Sequence, residues 1–152
     1  MERIYLDTSV FGGYFEPEFE FWTKILFDRI LKGEFKILIS RLTDIELENA
    51  PLQVKELAKS LPLDSIEWLD ITPTAAELAE KYINEKVVGQ TSHSDCIHIA
   101  VATLNYADVL VSWNFKHIVN HLRIRGYNAV NFKYGHKMLD IRSPREILDY
   151  ED

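Results

Sequence analysis

Short apolar runs alternate with segments of helical periodicity along most of the chain. The apolar runs lie at residues 4–6, 36–39, 66–71, 109–111 and 129–132. The helical patterns lie at residues 19–34 (behind Pro17), 43–49, 54–61, 73–85, 92–106 and 116–125, and from Pro144 onward. Strands that alternate with helices predict a mainly parallel sheet covered by helices on both faces.

The first apolar run ends on an acid. Residues 3–13 read RIYLDTSVFGG, so Asp7 directly follows a predicted strand. In open parallel sheets, chemistry gathers beyond the carboxyl ends of the strands, where the strand order reverses. If the first strand is central, Asp7 lies at that point. Hydroxyls of Thr8 and Ser9 could orient its carboxylate, and Gly12–Gly13 is predicted to bend the chain toward the next helix.

Three more polar side chains are expected at the same edge. Glu46 follows the second strand, Asp95 opens the apolar helix at 92–106, and Asn114 follows the strand at 109–111. Carboxylates crowded together repel one another unless a positive group neutralises them. A hard divalent cation such as Mg²⁺ or Mn²⁺ prefers oxygen ligands and activates water for attack on a phosphodiester. The pattern therefore favours a metal site built from these acids.

Each of these residues also has a purely structural interpretation. Thr43 to Glu46 and Ser92 to Asp95 both match a capping box, in which the acid reaches back to the start of its helix. An acid in a first helical turn is also favoured by the helix dipole. Asp7 could form a local turn with the hydroxyls behind it, and Asn114 could cap the helix that follows it.

Composition narrows the class of protein. The 152 residues, 47% of them hydrophobic, fit a single domain over 1–152. Cys96 is the one cysteine, which excludes an internal disulfide and a cysteine-rich zinc site. No stretch has the length of a membrane span, and Asp7 and Glu16 interrupt any secretory signal. We expect a soluble, cytoplasmic protein without a membrane partner.

Charge is distributed unevenly around the formal net value of -7. Between residues 114 and 145 seven Lys and Arg residues face one Asp, a balance of +6 that leaves -13 for the rest. The seven are Lys116, Arg123, Arg125, Lys133, Lys137, Arg142 and Arg145. A basic strip on an acidic body is compatible with local nucleic-acid contact. Solvated surface charge explains it equally well.

Several segments taken in order resemble the PIN-domain family, specifically bacterial members similar to VapC-type toxins. They are YLDTSVFGGYF, the ELENAP-like segment after the second strand, SDCIHIAVAT, VLVSWNFKHI and the closing RSPREIL. The resemblance covers nearly the whole chain. It implies a three-layer α/β/α sandwich and a Mg²⁺- or Mn²⁺-dependent endoribonuclease whose metal ligands would be Asp7, Glu46 and Asp95.

The sequence departs from the family pattern at one position. Many members carry an Asp where this chain has Asn114, in Ser-Trp-Asn-Phe. An amide oxygen can still ligate a hard cation or hold a metal-bound water, but it adds no negative charge. One metal site is therefore favoured over two.

The predicted mechanism is metal-assisted hydrolysis of RNA. Asp7 and Asp95 would hold the ion, Glu46 would ligate it or orient the attacking water, and Asn114 would complete the shell. The resemblance implies products with a 5′-phosphate and a 3′-hydroxyl. Lys116 and His117 could contact the phosphate backbone, and Arg123 and Arg125 could extend that track.

Further expectations concern a histidine and the partners. His98, three residues after Asp95, could hydrogen-bond that carboxylate or simply be a satisfied core residue. An unusually dense set of aromatic residues lies between Phe11 and Trp22. Most of it would pack in the core, and a surplus could form an interface. Toxins of this resemblance pair as homodimers and are neutralised by a small antitoxin.

Two other classes of function stay open. A strand-end Asp serves as phosphoacceptor in receiver domains and in dehalogenase-like phosphatases, although the latter need an Asp where Ser9 stands. Alternatively, a PIN-like fold weakened through Asn114 would only bind RNA or a protein partner. Cleavage assays discriminate between these functions and the nuclease.

Overall fold

The computed structural model describes residues 1–149, with side chains through Leu148. Its strands are β1 (Glu2–Leu6), β2 (Phe35–Ser40), β3 (Ile66–Leu69), β4 (Val109–Val111) and β5 (Ile141–Arg142). Its helices are α1 (Thr8–Gly13), α2 (Glu20–Leu31), α3 (Arg41–Leu47), α4 (Leu52–Lys59), α5 (Pro73–Asn84), α6 (His93–Leu104), α7 (His121–Lys133) and α8 (Pro144–Asp149).

The sheet is parallel throughout and its strand order is β3-β2-β1-β4-β5. β1 pairs with β2 on one side and with β4 on the other, so it is the central strand. The chain runs outward from β1 in one direction through β2 and β3, and in the other through β4 and β5. The strand order therefore reverses between β1 and β4, and Asp7 follows β1 at that point.

Alternation along each strand sends side chains into two separate cores. Tyr5, Leu38 and Leu110 pack with α5, α6 and α7 on one face of the sheet. Their neighbours Ile4, Ile37 and Val109 pack with α1, α2, α4 and α8 on the other. The central strands are buried on both faces, which explains their uninterrupted apolar runs. This arrangement confirms the predicted α/β/α sandwich with a parallel central sheet.

The end of the chain differs from the sequence prediction. Residues 116–125 were expected to form a helix and 129–132 the last strand, but α7 runs from His121 to Lys133 through both. Asn120 caps α7, because its Oδ1 accepts from the N–H groups of Leu122 and Arg123. The last strand is the two-residue β5, which is too short to show a pattern of its own.

The expected bend at Gly12–Gly13 is also wrong, because both residues belong to α1. Gly13 permits a close approach rather than a turn. A Cβ built there would lie 2.6 Å from Cδ1 of Trp113 and 3.2 Å from Oγ1 of Thr23. The absence of a side chain therefore lets the Trp113 indole lie against α1.

The predicted domain organisation and the predicted absence of a membrane span concern the whole chain, whereas the structure describes residues 1–149. The single domain expected over 1–152 extends three residues beyond the described part and stays a prediction. Across residues 1–149, no helix is both long enough and apolar enough to traverse a membrane.

Candidate active site

Asp7 is buried at the point where the strand order reverses. Asp7 is only 5% exposed, and its backbone N–H donates to the carbonyl oxygen of Val111 at 3.0 Å. Oδ2 accepts from Oγ of Ser9 at 2.7 Å and from Oγ of Ser112 at 2.8 Å. Although Asp7 is the N-cap residue of α1, its side chain makes no capping bond. Two hydroxyls thus hold one carboxylate oxygen, and one of them comes from beyond β4.

Glu46 lies in the body of α3, where it does not form the expected capping box. Ser40, the last residue of β2, is the N-cap, and its Oγ accepts from the N–H of Thr43. The helix therefore starts earlier than the capping box requires. Oε1 of Glu46 instead accepts from Oγ1 of Thr8 at 2.7 Å and contacts Nε2 of His98 at 2.6 Å.

His98 joins Glu46 to the core of the sheet. Its ring is 1% exposed and contacts the hydroxyl of Tyr5 through Nδ1 at 2.6 Å. The Tyr5 hydroxyl in turn donates to Oγ of Ser40 at 2.7 Å. Nε2 also lies 3.4 Å from Oδ1 of Asp7. His98 is therefore a satisfied core residue, and its bonded acid is Glu46 rather than the expected Asp95.

The charge state of His98 follows from its partners. Because the Tyr5 hydroxyl donates to Ser40, its oxygen accepts from Nδ1, while the Glu46 carboxylate can only accept from Nε2. Burial lowers the pKa of His98, but its hydrogen bond to Glu46 and the charges of Asp7, Glu46 and Asp95 together raise that pKa above its ordinary value. Both ring nitrogens then donate, as in the imidazolium form.

Glu46 responds in the opposite direction. Burial raises its pKa, yet the hydrogen bond and charge of His98, with help from Thr8, lower that pKa overall. Both of its hydrogen bonds use Oε1, and Oε2 accepts none from residues 1–148. Glu46 is therefore an ionised carboxylate with one oxygen available to water or to an ion.

Asp95 and Asn114 meet on the other side of Asp7. Oδ1 of Asp95 accepts from Nδ2 of Asn114 at 3.2 Å. The capping box expected with Ser92 is not formed, since Oγ of Ser92 has no partner among the described residues. Burial and then the nearby charge of Asp7 raise the pKa of Asp95. A like charge at the same edge of the sheet raises the pKa of a carboxyl group in this way.

The amide of Asn114 has two partners at once. Its Oδ1 accepts from the N–H of His117 at 3.0 Å, so the amino group must face Asp95. Asn114 does not cap the next helix as expected, because the N-cap of α7 is Asn120; it instead caps the turn before α7 and contacts Asp95. Asn114 presents a donor rather than an oxygen to Asp95.

The predicted phosphate contacts fall into two groups. Lys116 is exposed and His117 half-buried, and both lie in the turn directly after Asn114. Nδ1 of His117 is buried without a partner among the described residues. Arg123 donates to the carbonyl oxygen of Val87, and Arg125 is exposed farther along α7. Lys116 and His117 adjoin the acids, whereas Arg123 is already used to hold a loop.

The acids do not form a closed cage. Within the described part of the chain, no three Asp, Glu, His or Cys side chains are close enough to hold a metal ion together. Mg²⁺ keeps several waters and is commonly held by only one or two carboxylates plus substrate phosphates. Asp7 and Asp95 fit that requirement, because both are acids at the same edge, and Oδ1 of Asp7 and Oδ2 of Asp95 accept no hydrogen bond from residues 1–148.

Sequence reasoning missed Tyr5, Ser40 and Ser112 as parts of this site. Ser40 and Ser112 each stand at the end of an apolar strand, a position that could have marked them. Tyr5 gives no such signal, because a tyrosine inside an apolar strand is ordinary. Thr8 was expected to orient Asp7, but it contacts Glu46 instead.

Comparison with known families decides the class of this fold. The model of the PIN domain matches residues 4–114, which is most of the chain and includes Asp7, Glu46, Asp95 and Asn114. The chain belongs to the PIN-domain family. PIN domains are generally nucleases and typically use divalent metals, so a hydrolase acting on nucleic acid is supported at the level of the family. No curated protein matches the chain.

Solved structures give the same fold for this PIN domain. VapBC2 from Rickettsia felis bound to a promoter DNA fragment matches with 15% identity and a TM-score of 0.55, covering 93% of this chain and 98% of that one. FitAcB from Neisseria gonorrhoeae matches with 15% identity and a TM-score of 0.59, covering 93% and 98%. DNA-bound VapBC from Salmonella typhimurium matches with 18% identity and a TM-score of 0.54, covering 95% and 99%.

Proposed function

We propose that this PIN domain is a Mg²⁺- or Mn²⁺-dependent endoribonuclease and the toxin of a type II toxin–antitoxin pair. One observation carries the proposal. Three acids, Asp7, Glu46 and Asp95, lie at the edge where the strand order reverses, and among residues 1–148 the basic side chain that pairs with any of them is His98, which lies 2.6 Å from Glu46 and 3.4 Å from Asp7. A bound cation would supply the positive charge that this cluster lacks and would allow a phosphodiester anion to approach the acids.

The residues have separate roles in this proposal. Asp7 and Asp95 would hold the ion, and Ser9 and Ser112 keep the Asp7 carboxylate in one orientation. The bound ion supplies Lewis-acid stabilisation of phosphate charge and a more acidic water. Glu46, fixed through Oε1 by Thr8 and His98, would use Oε2 to orient the attacking water and accept its proton.

Asn114 would act through Asp95. Its amino group donates to Oδ1 of Asp95, which leaves Oδ2 for the ion. The family resemblance implies products with a 5′-phosphate and a 3′-hydroxyl, and water as the attacking group makes no demand on a 2′-hydroxyl. Single-stranded DNA is therefore a necessary comparison substrate.

Substrate contacts would lie next to Asn114. Lys116 is exposed there, and the charge of the neighbouring His117 is among the influences that lower the pKa of Asp95. Contacts of this kind to phosphate provide affinity without sequence preference. Arg125 would extend the contact along α7, while Arg123, bonded to Val87, would contribute less.

Protein partners would use exposed apolar side chains. The solved relatives are complexes with VapB or FitA, and we propose a small antitoxin and a homodimer for this chain by analogy. Phe21 is 64% exposed on α2, and Leu31 at the end of that helix is 51% exposed. Apolar side chains of this size at the surface are typical of interfaces. We expect the protein to act in the cytoplasm.

A second function has a specific observation in its favour. The residue that bonds to Asp95 is the neutral Asn114 rather than a fourth acid. With less negative charge the ion would bind more weakly, and the domain would then bind RNA or a partner protein without cutting.

Cleavage of a defined RNA separates the two functions. We expect the purified chain to cut a labelled single-stranded RNA in Mg²⁺ or Mn²⁺, to stop in EDTA and to leave 5′-phosphate ends. Asp7→Asn should abolish the cutting while leaving the fold intact by circular dichroism. Cutting that persists both in EDTA and in Asp7→Asn would contradict a metal-dependent nuclease, and binding without any cutting would favour the second function.

A further inference from the structure

An aromatic cluster adjoins the acids on the side of β4. The rings of Phe19 and Trp113 are stacked, with centroids 4.4 Å apart and planes at 21°. Phe115 lies edge-on to Trp113 at 5.9 Å and 6.2 Å from Phe19. Trp113 and Phe115 are the chain neighbours of Asn114. The cluster is thus placed beside the proposed active site by sequence as well as by packing.

Hydrogen bonds fix the cluster relative to Asp7. The backbone N–H of Trp113 donates to Oγ of Ser9 at 2.9 Å, and that hydroxyl donates to Asp7. The indole Nε1–H donates to Oγ1 of Thr23 at 2.8 Å. The missing side chain at Gly13 leaves room for the same indole. Trp113 is therefore held at both its backbone and its indole, and its backbone is connected to the Asp7 carboxylate through Ser9.

A cavity of about 380 Å³ opens beside this cluster. Its lining includes Phe19, Trp22, Trp113 and Phe115, with Arg145 and Glu146 among the polar residues. Trp113 is 8% exposed, whereas Phe115 is 48% exposed, so the accessible ring is that of Phe115. The volume lies near the lower end of the range for small-ligand pockets, about 300 to 1,000 Å³.

We propose that this cavity receives one base of a single-stranded RNA substrate, stacked on Phe115 next to the phosphate that is cut. The inference rests on the nuclease function proposed above and adds a subsite to it. Aromatic rings bind unpaired bases with little sequence preference, because every base presents a π-face. A paired base would have no free face to offer.

Charge favours a base over a phosphate inside the cavity. Glu18 and Glu146 line it together with Arg145, so a phosphate would meet two acids there. A neutral base meets aromatic faces and polar groups that can bond to its edge. The phosphates of the same strand would instead pass Lys116, which is exposed directly after Phe115. The base of the RNA would therefore lie in the cavity on one side of Phe115, and the phosphate backbone would lie on the other side, beside Lys116.

Binding of RNA by variants at residue 115 tests this subsite. In an Asp7→Asn background, which prevents cutting, we expect Phe115→Ala to weaken binding of a fluorescent 12-nucleotide single-stranded RNA by about 5- to 150-fold. Phe115→Trp, which keeps a ring, should bind close to the parent. Phe132→Ala is the matched control, because Phe132 is 79% exposed on α7 and lies outside the cavity.

A second substrate separates stacking from a loss of fold. Replacing single nucleotides of the RNA by abasic ones should weaken binding at one position in the parent and have no further effect at that position in Phe115→Ala. Equal affinities of Phe115→Ala and Phe132→Ala, as expected for a cavity that takes a protein side chain, would overturn the subsite. If the wild-type chain still cuts RNA in that case, the proposed function stands and only this inference fails.

Discussion

The acidic side chains at the two ends of the parallel sheet differ in how their negative charge is neutralised. At the amino ends, Arg3 donates through Nε and Nη2 to both carboxylate oxygens of Glu67, and its backbone N–H donates to Asp108. At the carboxyl ends, His98 contacts Glu46 and Asp7, while Asp95 accepts from the neutral amide of Asn114. The first set is neutralised by a partly exposed arginine and serves the fold. The second set keeps negative charge in excess, which a stable fold does not require and a cation site does.

The largest expected difference lies between Asp95 and Asp108. Asp95→Asn should lower RNA cleavage by at least about 100-fold, since loss of a metal ligand costs more than the 10- to 100-fold typical of residues behind the ligands. In EDTA it should keep or raise the melting temperature, because it removes a charge that Asp7 repels. Asp108→Asn should leave cleavage within about twofold of wild type. Equal loss of activity in both variants would remove the distinction between the two ends.

His98 should matter for both stability and activity. His98→Ala removes a buried hydrogen-bond partner from the Tyr5 hydroxyl, which keeps Ser40, and another from the Glu46 carboxylate, which keeps Thr8. The loss of both bonds should lower the free energy of unfolding by roughly 2 to 4 kcal/mol. Arg3→Gln, at the partly exposed amino end, should cost about 1 kcal/mol. Urea unfolding of both variants measures this difference. A cost for His98→Ala no larger than that for Arg3→Gln would contradict a buried, protonated histidine at the centre of the site.

Asn114→Asp tests how an additional negative charge at the carboxyl ends of the strands changes the stability of the fold. A carboxylate replacing the amino group that bonds to Asp95 should destabilise the chain in EDTA by about 1 kcal/mol. Mn²⁺ should recover that loss, because an ion that binds the folded state stabilises it. Thermal unfolding with and without Mn²⁺ measures both effects. A variant that is unchanged in EDTA would show that residue 114 lies too far from the acids to influence them.

The smallest effect concerns pH. Because the pKa of His98 is raised above 6.5, its protonation stabilises the folded state fully below pH 6.5, and this stabilisation is lost as the pH rises through the folded value. In EDTA, the wild-type chain should lose stability over that window more steeply than His98→Gln. Parallel slopes for His98→Gln and wild type would indicate a neutral ring.

The sequence predicted the carboxyl end of the sheet better than the network behind it. Asp7 could be placed because an acid directly after a central apolar strand has few structural uses. Neither predicted capping box is formed. Glu46 lies too far along α3, which begins after Ser40, and its carboxylate bonds to Thr8 and His98. Asp95 bonds to Asn114 instead. The contact of His98 with Glu46 could not be foreseen, since it directly joins α3 to α6, which are distant in the sequence, while Tyr5 of β1 contacts the other ring nitrogen.

The same limits apply to the last third of the chain. The pattern at 129–132 was interpreted as a strand, but these residues belong to α7. Asn131 is buried there, and its side chain accepts a hydrogen bond from the Tyr82 hydroxyl of α5, against which α7 packs. β5 has two residues and no periodicity to detect. Local hydrophobic patterns therefore predicted the parallel core. Contacts between elements that are distant in the sequence determined the hydrogen-bond network behind the acids and the bounds of α7 and β5.

Titration calorimetry with Mn²⁺ tests the central claim most directly, because it requires no substrate. We expect the wild-type chain and Asp108→Asn to bind one Mn²⁺ with similar affinity, and Asp7→Asn to show no saturable binding. Binding of Mn²⁺ by Asp7→Asn with wild-type affinity would contradict a cation site at the carboxyl end of β1.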